Sequence, residues 1–528
     1  MVFNLTHYPY PSGRRVVMGC RHAAATSQPL ATLAGMEMFW AGGNAVDAAV
    51  AMAIALTVVE PTSNGIGSDA FALVWDGQLH GLNASGKSGQ NFNAPAELSV
   101  MPHLGWMPVT VPGAVSAWRS LSKKWGKLPF EQLFQPAIRY ARDGFPVSPE
   151  TARAWQSAAA MYVPQQERVF QAFRETFFRG DRAPKAGEVW GSATHAATLQ
   201  DIAQTGGDSF YKGHLAQQII DFAAATGGFL TLDDLAQHQP QWVDPIATTY
   251  RDLTVWEIPP NGQGIAALMG LNILSGVDLA RYPRDSAESF HWQIEAMKLA
   301  FADAHEHVSD PDWMKVSTAQ LLDMSHAEKQ RNRIGEHAIA TPTAFPRGGT
   351  VYLAAADGDL MVSFIQSNYE GFGSGVLVPG TGIALQNRGL GFALQPGHPN
   401  QAAPLKRPFH TIIPGFLTQG QTPLGPFGVM GGHMQPQGHL QMAVNLADYG
   451  MNPQAALDAP RWQVTQGKTV LLEQTVPRAT ALALADRGHD VRVMAESRSF
   501  GKGQMILRQD GVLVAASEPR ADGMAIAG

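Results

Sequence analysis

The feature that most constrains this chain is a run of small and larger apolar residues from Ala45 to Val59 (AVDAAVAMAIALTVV). Alanine has the strongest helix propensity, and here the larger apolar residues fall on nearly every side instead of along one stripe. Such a helix has no face to offer water. It predicts a segment packed closely between other layers, and therefore a layered fold large enough to cover it. The chain has 528 residues, enough for several domains of roughly 100–200 residues, although layered α/β proteins of this length also fold as one unit. Asp47 interrupts the run, which falls short of the roughly 18 apolar residues a membrane span requires.

Around this helix the pattern divides the chain. Phe71 to Trp75 reads as a short apolar strand closed by the turn pair Asp76-Gly77. The middle third, from about Trp118 to Ala304, carries amphipathic patterns such as Leu215 to Ala225 and Ser289 to Ala304, separated by turn signals like Pro259-Pro260-Asn261-Gly262. This predicts a mainly helical region. In the C-terminal third, Thr350 to Ala356 and Leu360 to Gln366 read as a β-hairpin turned at Asp357-Gly358-Asp359. Further strands are expected at Phe409 to Phe416 and Thr469 to Leu472, and helices near Gly438 to Leu446 and Thr480 to Arg487. Between the helix-rich and strand-rich parts lies Ala338 to Gly349 (AIATPTAFPRGG), a loop by composition and the right kind of place for a backbone cut.

Several function classes are disfavoured. The formal charge of -6 and the absence of a Lys/Arg-rich run give no surface for nucleic acid. Cys20 is the single cysteine, so neither an internal disulfide nor a cysteine-based zinc cluster is available. Val17-Met18-Gly19-Cys20 and Arg14-Arg15 superficially resemble secretion signals, but Met1 to Cys20 has no apolar stretch of about 7–15 residues. A cytoplasmic enzyme with no membrane partner is expected. Gly65-Ile66-Gly67-Ser68-Asp69-Ala70 fits a dinucleotide fingerprint in letters, yet a helix precedes it and a strand follows, the reverse of what that motif needs. His305-Glu306-His307, His433 and His439 lack metalloprotease spacing, so neither metal nor organic cofactor is expected. No G-x-S-x-G elbow is present.

What remains is Gly348-Gly349-Thr350 entering a strand. If the bond after Gly349 breaks, the free α-amine of Thr350 can accept the proton of its own hydroxyl, since an α-amine titrates near 7.7–8.0. Gly349, without a Cβ, lets its carbonyl turn towards that hydroxyl. The triplet alone is also an ordinary loop end.

Several ordered segments together resemble the γ-glutamyltranspeptidase family: Gly42 to Ala49 (GGNAVDAA), Val59-Glu60-Pro61, Phe229 to Leu235 (FLTLDDL), Leu299 to Asp303 (LAFAD), Thr350 with its hairpin, Gly371 to Gly375, Lys406-Arg407-Pro408 and Gly431-Gly432. The match spans nearly the whole chain. The resemblance implies a four-layer αββα sandwich of the N-terminal-nucleophile hydrolase type. It also implies a proenzyme cut between Gly349 and Thr350, giving a large segment (1–349) and a small one (350–528) that stay together as a heterodimer, with a dimer of these left open. Thr350 is then the nucleophile, the amides of Gly431 and Gly432 form the oxyanion hole, and Ser367 stands where the family has a second threonine and would orient Thr350.

The substrate pocket departs from the family pattern. Ser85, near Lys87, stands where an arginine is expected, and His410-Thr411 replace a serine pair. Asn387 to Gly391 brings Arg388 where the family has an acidic segment, and Tyr369 replaces an asparagine. Arg388, Tyr369, His410, Thr411 and Ser85 are thus candidate substrate-binding residues, with Arg388 matched to a planar carboxylate unless it makes only a structural salt bridge. An amide with an acidic acyl part and no α-amino group is expected, as the resemblance to the oxamate amidohydrolase and dicarboxylate-acylase branch implies. A γ-glutamyl hydrolase or transferase and an uncut, silent binding homologue remain alternatives.

Overall fold

A computed structural model describes residues 4, 6–11, 13–340, 348–358 and 360–528. Most of the expected cleavage loop, 341–347, and Asp359 of the hairpin turn lie outside the described residues.

Two seven-stranded antiparallel sheets form the centre. The first runs Met524–Ala527, His22–Thr26, Gly349–Asp357, Leu360–Tyr369, Asp69–Trp75, Leu79–Asn83 and Gln241–Val243. The second runs Val17–Gly19, Val512–Ser517, Lys502–Gln509, Thr422–Met430, Gly415–Gln419, Leu253–Glu257 and Ile246–Tyr250. Side chains alternate across each strand, and the alternation separates the layers. Val351, Leu353 and Ala355 join the helix-side core with Ala45–Val59, whereas Tyr352, Ala354 and Ala356 meet Phe416, Met430 and Ile506 between the sheets. Helices Gly264–Ser275, Ala287–His307 and Met434–Ala447 cover the other face of the second sheet. The result is the expected αββα sandwich. Both sheets take strands from either side of the Gly349–Thr350 bond, so the two segments share one hydrophobic core.

The apolar helix behaves as its composition requires, with every residue from Ala45 to Val59 buried. Asp47 does not break it, because it closes a capping box with Asn44 and accepts from the amides of Lys127 and Leu128. The expected hairpin is present as Gly349–Asp357 and Leu360–Tyr369, and Asp357 accepts from the Ala45 amide at 2.6 Å, tying it to the helix N-terminus. The segment Gly65 to Ala70 lies between a helix and a strand in the order that argues against dinucleotide binding.

The middle third is mainly helical, as expected, with Gln241–Val243, Ile246–Tyr250 and Leu253–Glu257 as strands among the helices. One expectation needs correction. The strand expected at Phe409 to Phe416 begins at Gly415. His410 makes only an isolated bridge to Gly262, and Pro414 has no N–H to give a ladder. No helix among the described residues is long and apolar enough to cross a membrane.

Candidate active site

Thr350 lies at the start of a central strand, fully buried, where the pairing register shifts between Gly349 and Val351. A bulge of this kind re-aims a side chain. Here the Thr350 hydroxyl lies 3.0 Å from Ser367 Oγ on the neighbouring strand. Ser367 Oγ donates to the Gly349 carbonyl at 2.7 Å and accepts from the Tyr369 amide at 2.8 Å. A hydroxyl carries one proton, so with that of Ser367 committed to Gly349, Thr350 must be the donor to Ser367. The hydroxyls of Thr350 and Ser367 are in contact, and Ser367 additionally holds the carbonyl of the Gly349–Thr350 bond.

The glycines have specific reasons. A Cβ on Gly349 would lie 2.9 Å from the Gly371 backbone nitrogen, and one on Gly348 would lie 2.9 Å from Gly432 Cα. Close backbone approach, beyond the freedom of the carbonyl to turn, therefore excludes larger residues. Gly431 and Gly432, with φ of 137° and 60°, form the turn between the strand ending at Met430 and the helix Met434–Ala447. Among the described residues neither N–H has an acceptor, and a helix N-terminus adds positive potential. Gln263 fixes this turn, donating to Gly432 O at 2.9 Å and Thr411 O at 2.5 Å. Gln263 was not foreseen, because its neighbourhood reads only as a turn.

A cavity of about 690 Å³ adjoins the bond, lined by Gly348, Gly349, Glu370, Asn387, Met430, Gly431 and Lys502 among others. Its described lining does not include Arg388, Tyr369, His410, Thr411 or Ser85. These five lie in the buried interior instead. Arg388 is fully buried and its Nε lies 3.2 Å from Asp69 Oδ2, while Nη1 donates to Thr411 Oγ1 at 2.8 Å and the guanidinium sits 4.4 Å from the Tyr369 ring centre. His410 Nε2 shares the same Asp69 oxygen at 3.1 Å. Ser85 donates to Asn83 and does not reach Arg388.

The expectation of a cationic pocket is thereby corrected. Asp69, from a distant strand, supplies the carboxylate the local sequence lacked and neutralises Arg388. Burial, reinforced by Arg388, lowers His410 to about 4, so it is neutral near pH 7. Burial also lowers Arg388, with Asp69 opposing. The guanidinium lies over the Tyr369 ring. Two buried atoms of this cluster, Arg388 Nη2 and Asp69 Oδ1, have no hydrogen-bond partner among the described residues. Asp69 pairs across the ladder with Ser367, so its strand is the second from that of Thr350, with the Ser367 strand between them. An acidic residue opening the apolar strand DAFALVW was the available signal, since a buried carboxylate requires a partner.

The remaining candidates are structural. His305 stacks on Phe409 and His433, and His439 bridges Glu257 and the Val429 amide. His291, Glu295 and His489 bring ligand-type atoms within 4.8 Å of one another, but Lys298 Nζ already donates to Glu295 at 2.8 Å and occupies the cation position.

The Gamma-glutamyltranspeptidase family profile matches residues 31–528. The fold superposes on the crystal structure of a cephalosporin acylase from Bacillus halodurans with a TM-score of 0.95 and 53% identity, covering 100% of this chain and 99% of that one. The Glutathione hydrolase-like YwrD proenzyme of Bacillus subtilis is 34% identical, with 97% of this chain and 99% of the relative covered. The Oxamate amidohydrolase proenzyme of Klebsiella pneumoniae is also 34% identical, with 95% and 97% covered. With Thr350 at the start of a central strand of an αββα sandwich, the chain belongs to the γ-glutamyltranspeptidase family and is an amide hydrolase.

Proposed function

We propose that the chain cuts itself between Gly349 and Thr350 and then, as a heterodimer of 1–349 and 350–528, hydrolyses an amide whose acyl part carries a second carboxylate. The observation that carries the first half is the chain of hydrogen bonds from Thr350 Oγ1 through Ser367 to the Gly349 carbonyl. Ser367 polarises the carbonyl that Thr350 must attack, and it does so on the residue whose bond is to break. Gly349 lines the cavity while Thr350 is buried behind it, so cleavage opens the hydroxyl and its new amine to a substrate.

In the second half, Thr350 Oγ attacks the substrate carbonyl and its own α-amine takes the proton. The Gly431 and Gly432 amides hold the oxyanion, the amine protonates the leaving nitrogen, and water releases the acid. Oxamate is the smallest acid amide of this class, and a cavity of about 690 Å³ leaves room for longer acyl chains or larger amines.

A second reading, a γ-glutamyl hydrolase or transferase, is favoured by one observation. Arg388 Nη2 and Asp69 Oδ1, within one buried ion pair, have no hydrogen-bond partner among the described residues, and such a donor and acceptor would suit an α-carboxylate and an α-ammonium. Intact-mass measurement on fresh protein, followed by paired assays, separates the readings. A fragment beginning at Thr350 and faster turnover of an acidic amide than of γ-glutamyl-p-nitroanilide support the first. The opposite preference supports the second, and a chain that stays whole defeats both.

A further inference from the structure

Resting on the acidic-amide reading, we propose that Lys502 is the specificity cation of the cavity and holds the substrate's remote carboxylate.

The argument starts from the strand Lys502–Gln509. Ile506 points between the sheets and Met505 towards the helices, so Gln504 and Lys502 continue the inter-sheet face by alternation. Lys502 pairs directly with Met430, the residue before Gly431. Its side chain therefore starts beside the turn assigned to the oxyanion, and it lines the cavity that also contains Gly349 and Gly431.

The charges around that cavity single it out. The other charged residues on its described lining are Glu370, Glu496 and Arg498. Arg498 is paired with Glu496 at 2.7 Å, and Glu370 with His103 at 2.7 Å. Lys502 has no carboxylate at ion-pair distance among the described residues. Glu60, whose carboxylate feels the Lys502 charge, is buried and takes hydrogen bonds from Ser27 at 2.5 Å and Ser63 at 3.1 Å. Arg388, the other cation near Thr350, is neutralised by Asp69.

The rest of the wall sets the ligand class. Met161, Tyr162, Met430 and Met494 make it largely apolar, and an ammonium on such a wall matches an acyl chain with methylenes between the reacting carbonyl and a terminal carboxylate. A carboxylate held by Lys502 exchanges water for a charge-assisted bond in a partly desolvated site.

The test compares glutaryl-p-nitroanilide with pentanoyl-p-nitroanilide, which has the same chain length and leaving group but ends in a methyl. In Lys502→Met, KM for the glutaryl substrate should rise about tenfold or more, with pentanoyl kinetics unchanged and self-cleavage intact. Lys502→Arg should restore most of the glutaryl preference. Equal loss on both substrates would make Lys502 a general electrostatic or structural residue and overturn the proposal. A wild type that cleaves itself but prefers pentanoyl amide would also overturn it, while leaving Thr350 in place. A wild type that never cleaves would instead sink the reading on which it rests.

Discussion

Two buried polar centres lie on neighbouring strands of the same sheet, and they are built in opposite ways. The bonds that hold Thr350 are all between neutral groups, and the hydroxyls of Thr350 and Ser367 and the Tyr369 amide each have a defined partner. Around Arg388, beyond the Ser367 strand, an ion pair with Asp69 is enclosed, and each partner keeps an atom without a hydrogen bond among the described residues. Neutral hydrogen bonds fix a geometry at small desolvation cost, which suits a reaction that depends on one hydroxyl facing one carbonyl. A buried ion pair with unfilled hydrogen bonds is expensive to maintain, and its partners are coupled, so that removing one strands the other.

The largest effect should come from the neutral centre. Thr350→Ala removes the hydroxyl, and purified protein should remain a single chain near 56.7 kDa with no measurable amide hydrolysis. Thr350→Ser keeps a hydroxyl and should still cut at the same bond. A Thr350→Ala chain that is cut at 349–350 would show that the nucleophile lies elsewhere, and the contrast between the two centres would lose its chemical basis.

Next should be the charged centre. Asp69→Asn leaves Arg388 buried beside a neutral amide, a change that typically costs about 3–5 kcal/mol. The expected outcome is a thermal midpoint several degrees lower, even where self-cleavage still occurs. Adding Arg388→Met to Asp69→Asn should recover most of the loss, because no buried charge is then left unpaired. If the single and double variants are equally unstable, the pair is not what makes Asp69 matter.

A smaller effect is expected at Ser367. Ser367→Ala deletes the donor to the Gly349 carbonyl and leaves the Tyr369 amide unsatisfied, together worth about 1–3 kcal/mol. Self-cleavage should slow by roughly 10–100-fold, followed as the loss of the full-length band with time. A cleavage rate within error of wild type would reduce Ser367 to a strand-end serine.

The two centres also differ in how far the sequence discloses them. Gly348-Gly349-Thr350 is contiguous, and the hairpin that brings Ser367 beside it follows from local alternation and a turn, so the neutral centre is legible. The ion pair is not. Asp69 and Arg388 are 319 positions apart, and nothing local says that a strand from the first hundred residues will pair with the nucleophile hairpin. The same reason hides much of the second sheet. Thr422–Met430 (TPLGPFGVM) contains two prolines and two glycines, a poor strand by composition that is held in place by its neighbours. The apolar helix Ala45–Val59 was readable because its whole circumference demands burial, whatever covers it.

The finest distinction between the centres is their response to acid. None of the Thr350–Ser367 bonds involves a group that titrates near neutrality, whereas His410 is held at about 4 by burial, with Arg388 adding to the effect. With an ordinary histidine value of about 6.5, the unfolded chain binds more protons than the folded one between these two values. The contribution of His410 to stability is therefore complete above about pH 6.5 and is lost as pH falls towards 4. From pH 6.5 to 5 that amounts to roughly 2 kcal/mol at most. His195, His238, His305 and His489 are lowered in the same direction, so the wild-type slope is a sum and only a variant isolates one term. Urea midpoints at pH 7 and pH 5 should differ less in His410→Gln than in wild type. An unchanged difference would mean that the ring accepts a proton without leaving Asp69, and the charged centre would then tolerate a second cation beside Arg388.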